Sequence, residues 1–86
     1  MTTVLDTSAV SAVMHRIPAA LERLAALRPG AVVLTSPVAA EIRYGLERLE
    51  PASRRRRRLE DEYRRLRRLV RWADWSEAAA EEFGRQ

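Results

Sequence analysis

The sequence contains no cysteine and no lysine. The first absence rules out a disulfide framework, a zinc knuckle, an iron–sulfur site and a thiol nucleophile. The second means that all 16 basic residues are arginine, set against 12 acidic ones for a formal net charge of +4. Long apolar runs are missing as well. The uncharged stretch from Thr7 to Met14 falls far short of the ~20 residues that cross a membrane. Asp6 is the only charge before His15, so the amino end lacks the basic segment of a signal peptide. The expectation is a soluble, cytoplasmic, single-domain chain with a basic surface and no membrane contact.

What is present is an ordinary apolar content, 47%, under a heavily charged surface, 33%. Eighty-six residues make one small domain. A chain of this size buries roughly 60–65% of its unfolded surface, so its core is marginal. The basic balance reads in two ways. One is an anionic partner, nucleic acid above all. The other is a solvated helix face in an arginine-biased sequence.

Along the chain, Thr2 to Asp6 is a short β-favouring run, and Thr7 and Ser8 can cap the helix that follows. Ala9 to Met14 is a short apolar helix, interrupted by Pro18. Ala19 to Leu27 predicts a second helix, with Leu21, Leu24 and Leu27 on one face. Ala31 to Thr35 is continuously apolar and β-branched, as suits a strand covered on both sides. Ser36 and Pro37 then read as N-cap and first residue of a helix running to about Glu50. Its stripe is Val38, Ile42, Leu46 and Leu49. Ser53 opens a further helix, in which Leu59, Tyr63, Leu66, Leu69 and Val70 form the apolar side. Acids at 60–62 precede Arg64, Arg65 and Arg67 at a spacing suited to i,i+4 pairs. Leu69 to Trp72 reads as the last turn of that helix or as a short third strand, and a helix from Glu77 to Phe83 completes the pattern. Strands alternating with helices predict an α/β fold with a parallel sheet flanked by helices: two to three strands, four to five helices.

Open parallel sheets gather ligands outside the carboxyl ends of their strands. Asp6 lies at the end of the first strand. Glu41 lies early in the helix after the second, at the edge of its buried stripe, and is expected half-buried. Two carboxylates brought together repel unless a cation or proton sits between them. Oxygen donors of this kind suit Mg²⁺ or Mn²⁺, which takes one or two carboxylates with waters and substrate phosphates. The same residues serve equally well as an N-cap and a first-turn acid. Among the rest, Tyr44 is expected to pack beside the sheet, and Gly45 to allow close approach of a neighbouring element. His15 is expected to be a surface residue, and Trp72 and Trp75 core or interface aromatics.

VLDTSAV at 4–10 and VLTSPVAAEIRYGL at 33–46 resemble the PIN-domain family, and within it the VapC-type toxins of bacterial toxin–antitoxin pairs. WADWSEAAAEEFG at 72–84 resembles that family's third strand and the helix after it. The resemblance implies a Mg²⁺- or Mn²⁺-dependent endoribonuclease that cleaves RNA phosphodiesters without a covalent intermediate. Asp6 and Glu41 match two of the metal-holding catalytic acids. Thr7 and Ser8 match polar positions that support them. The family's third and fourth acids fall beyond residue 86. Residues 1–86 therefore read as one PIN-like domain without its carboxyl-terminal part, with little or no cleavage activity expected. Implied partners are RNA, a cognate antitoxin and a second copy in a homodimer. Two alternatives remain open: a non-catalytic antitoxin-binding remnant, and an arginine-rich module that binds RNA backbone through Arg54, Arg55, Arg56, Arg57 and Arg58.

Overall fold

The computed structural model describes residues 2–73. Three parallel strands, β1 (Thr3–Val4), β2 (Val32–Thr35) and β3 (Arg71–Ala73), form a sheet in that order. Thr3 pairs with Val32, Val33 with Arg71 and Thr35 with Ala73. Parallel neighbours need long crossovers. Here α1 (Thr7–Met14) and α2 (Pro18–Ala25) carry the first, and α3 (Ser36–Glu47) and α4 (Arg54–Leu69) the second. The α/β expectation, a parallel sheet flanked by helices, holds for this region. The helix expected over 77–83 and Trp75 lie outside the described residues.

All four residues of β2 are buried, as its unbroken apolar run predicts. Alternation along the strand divides them. Val32 and Leu34 join the main core with Val10, Val13, Ile42, Leu46, Leu59, Tyr63 and Leu66. Val33 faces the other way, with Val4 and Ala73. Leu34 and Leu66 are 0% exposed, and each contributes about 1.5–3 kcal/mol by burial. Thr35 is also 0% exposed, yet its hydroxyl has no hydrogen-bond partner among the described residues.

The helix ends show which local signals won. Asp6, rather than Thr7 or Ser8, caps α1, accepting a hydrogen bond from the Ala9 amide at 2.7 Å. The carboxylate reaches further than a hydroxyl, so the helix starts two residues earlier than the apolar pattern suggests. Helix α3 is likewise entered from Thr35 rather than Ser36, with no side-chain cap bond. It stops at Glu47, before Pro51. Ser53 caps α4 as expected, its Oγ accepting from the Arg56 amide at 3.1 Å. That cap matters because five arginines crowd the positive end of the helix dipole. Leu69 is 53% exposed instead of buried: Val70 is already extended and turns the chain into β3. Between α1 and α2, Arg16 adopts φ 55, and its guanidinium reaches Glu62 at 3.3 Å.

Candidate functional site

Parallel strands followed directly by α1 and α3 bring the starts of both helices to the carboxyl edge of the sheet. Asp6 leaves β1 and enters α1 at this edge. It is exposed, and Oδ1 is engaged by the Ala9 amide. Oδ2 has no partner among the described residues. Glu41 sits on the second turn of α3. It is exposed, not half-buried as its place beside Ile42 suggests. The facing side of α1 carries Thr7 and Ser11, too short to cover it, so a groove opens there instead.

The described acids divide evenly. Glu47, Glu60, Asp61 and Glu62 form ion pairs with arginines, whereas Asp6, Glu22, Glu41 and Glu50 form none among the described residues. Glu41 has neither an ion pair nor a hydrogen bond among the described residues, although Arg43 is two positions away. Asp6 has only its cap bond. Oxygen donors alone suit a hard divalent cation that keeps several of its waters. Among the described residues, no group of three or more acidic or histidine side chains converges on one point. Asp6 and Glu41 are thus at most a partial ligand set.

The groove between α1 and α3 gathers Thr7, Ser11 and His15 on one wall and Glu41 and Gly45 on the other, with Arg55 at the far end. Thr7 lines it beside Glu41. Ser8 does not; it borders a shallower hollow with Ser11 and Ile17. Asp6 precedes Thr7 and edges the apolar cleft between β1, α1 and α2. The structure therefore brings Thr7 and Glu41 together, sets Asp6 next to them in the chain, and turns Ser8 aside. The groove roles of Ser11, His15 and Gly45 escaped sequence reading. The available signal was a spacing of four, shared by Thr7–Ser11–His15 and Glu41–Gly45–Leu49, which puts each set on one helix face.

Three further expectations are corrected. Tyr44 is 65% exposed, because it stands roughly 200° round the helix from Ile42; Arg48 lies over its ring at 5.5 Å. A Cβ on Gly45 would meet nothing within 4 Å, so no close approach explains that glycine. The arginine run is not one solvated surface. Arg56 is only 14% exposed, donating to Glu60 at 2.9 Å, Glu47 at 3.2 Å and the Leu49 carbonyl at 3.3 Å. It ties α3 to α4 and is unavailable to RNA, whereas Arg54, Arg55, Arg57 and Arg58 are exposed. The hydrogen bond from Arg56, with Arg43 adding to it, holds the Glu60 carboxyl below the usual glutamate range, against some desolvation. Along α4, Asp61 and Glu62 pair with Arg64 and Arg65 at i,i+3 rather than i,i+4. Trp72 is 46% exposed, with Arg67 stacked on it at 4.5 Å.

The sequence profile of the PIN domain matches residues 3–82. The chain belongs to the PIN-domain family. PIN domains are generally metal-dependent nucleases, and the carboxyl edge that presents Asp6 and Glu41 is where an α/β sheet of this kind holds its ligands. No curated protein and no solved structure matches this PIN domain. Among the described residues no helix is long and apolar enough to cross a membrane.

Proposed function

We propose that this PIN domain is the ribonuclease part of a VapC-type toxin, with a cognate antitoxin as partner and RNA as substrate. In this reading Asp6 and Glu41 supply two of the carboxylates that hold Mg²⁺ or Mn²⁺. The observation that carries it is that two exposed acids, Asp6 after β1 and Glu41 in the helix after β2, lie toward the carboxyl edge of the parallel sheet. When bound, the cation would lower the pKa of a coordinated water and offset charge on the scissile phosphate. The chain's own residues position the substrate. Asp6 is fixed in direction by the Ala9 amide at 2.7 Å, which leaves Oδ2 as a preoriented donor. Glu41, on a helix packed through Ile42 and Leu46, is presented from a rigid support. Thr7, which lines the groove with Glu41, would contribute a hydroxyl there. Ser8, two residues after Asp6 and outside the lining of that groove, would act only as a support for Asp6.

The test is paramagnetic broadening of backbone amides by Mn²⁺. Broadening is expected at residues 6–9 and 38–42, weakened by Asp6→Asn and by Glu41→Gln. Asparagine caps a helix as well as aspartate does, so the first variant removes charge without unfolding α1. Two carboxylates bind weakly, and cleavage of RNA by residues 1–86 alone is expected to be slight. Broadening centred on 60–62, or indifferent to both substitutions, sinks the proposal.

A further inference from the structure

Gly45 has no structural reason to be glycine. It lies inside α3, where glycine costs about 1 kcal/mol relative to alanine. Its φ is not positive, and an added Cβ would meet nothing within 4 Å. What it does is keep low the wall of the α1–α3 groove, one helical turn beyond Glu41. That groove encloses about 260 Å³. Ile42 and Leu46 give it an apolar floor, and hydroxyls of Thr7 and Ser11 line one side. His15 stands at the end of that row. Its Nδ1 lies 2.8 Å from the Ser11 carbonyl oxygen, so Nδ1 is the donor there and Nε2 is left free to bond outward. Arg55 closes the far end. Unlike Arg56 beside it, Arg55 has no ion pair among the described residues.

We propose that this groove seats one nucleotide of a single-stranded RNA, adjacent to the phosphate that a cation at Asp6 and Glu41 would meet. The base lies on Ile42 and Leu46 over the gap at Gly45. Its edge meets Ser11 and His15, and the next phosphate meets Arg55. This rests on the nuclease reading above and extends it to substrate positioning. An unstacked base can enter such a slot, whereas a duplex cannot. The groove has no aromatic ring, so binding depends on Arg55 and is salt-sensitive. Gly45 and Arg55 are positioning residues, since neither lies at the reacting atoms.

The experiment titrates a randomised pool of single-stranded RNA hexamers into the chain without metal, followed by amide shifts. Shifts are expected at Ser11, His15, Gly45 and Arg55. Gly45→Leu fills the gap, and is expected to leave thermal stability equal or higher while weakening RNA binding about tenfold, since the base then loses its apolar contact with Ile42 and Leu46. Arg55→Gln, on an exposed first turn, is the second variant, expected to reduce the salt slope by about one unit. Three results overturn the proposal: shifts confined to the outer face of α4 at Arg57, Arg64 and Arg68; unchanged affinity in both variants; or equal binding of duplex RNA. Mn²⁺ broadening in Gly45→Leu separates this test from the earlier one. If broadening persists at 6–9 and 38–42 while RNA binding is unaffected, the groove assignment fails and the metal site stands. If the wild-type chain shows no such broadening but does show groove shifts, the nuclease reading fails and the groove stands.

Discussion

Replacing Thr35 by valine should stabilise this protein. Thr35 ends β2, is 0% exposed, and buries a hydroxyl with no hydrogen-bond partner among the described residues. Leaving such a group unsatisfied costs about 1–3 kcal/mol. Valine keeps the branched shape and suits a strand at least as well. Thr35 is also the N-cap of α3, a position where losing a hydroxyl normally costs stability. Here the side chain makes no cap bond, so that loss does not apply. The net expectation is a gain of about 1 kcal/mol, toward the lower end because valine desolvates no better than threonine's own methyl. For a domain of this size that is a rise in melting temperature of about 4–8 °C. Urea unfolding followed by circular dichroism measures it, with an unchanged denaturant slope showing that the two end states are comparable. Thr35→Ala is the control: it removes the hydroxyl and a methyl together, leaves a void, and should fall below Thr35→Val. A Thr35→Val protein that melts below wild type refutes the reasoning, because the hydroxyl must then be bonded in solution.

Other outcomes follow from the same structure. Leu66→Ala removes a fully buried side chain from the centre of the core and should cost about 2–5 kcal/mol, enough to leave a domain of this size largely unfolded by circular dichroism. Asp6→Ala should cost about 1 kcal/mol in the same assay, through the lost cap bond to Ala9, while Asp6→Asn should cost little. The pH dependence of the urea midpoint should carry a contribution from Glu60. Its folded pKa is depressed by Arg56 and Arg43, so the stabilisation is present above the unfolded glutamate value and is lost as pH falls through that range and below it. Glu60→Gln should flatten that acid limb; an identical limb in the variant counts against the network.

The order of elements was legible because each had its own local signal. Pro37 beside a Ser-Thr pair marks the start of α3, Ser53 caps α4, and the unbroken Val-Val-Leu of β2 requires cover on both sides. What was not legible depends on contacts between elements. Glu41 sits beside the buried Ile42 and reads as half-buried, but its exposure is decided by short side chains on a different helix. Arg56 is indistinguishable from its four neighbours in the run until Glu47 and Glu60 are placed around it. Leu69 continues a correct periodicity one turn too far, because the chain had to straighten in time for β3. Gly45 illustrates the opposite case: a residue that looks structural in sequence and proves to have open space around it.

Asp6 and Glu41 differ in why a lineage would keep them. Asp6 caps α1, so folding alone disfavours its replacement by anything but a comparable cap. Glu41 bonds to nothing in the described fold, and its loss would leave stability untouched. In descendants of this domain that had lost catalysis, position 6 would keep aspartate or change to another good cap such as asparagine or serine, while position 41 would drift freely. Retention of an acid at 41 is therefore the sharper record of selection for chemistry, and an acid at 6 is in part a record of selection for a helix.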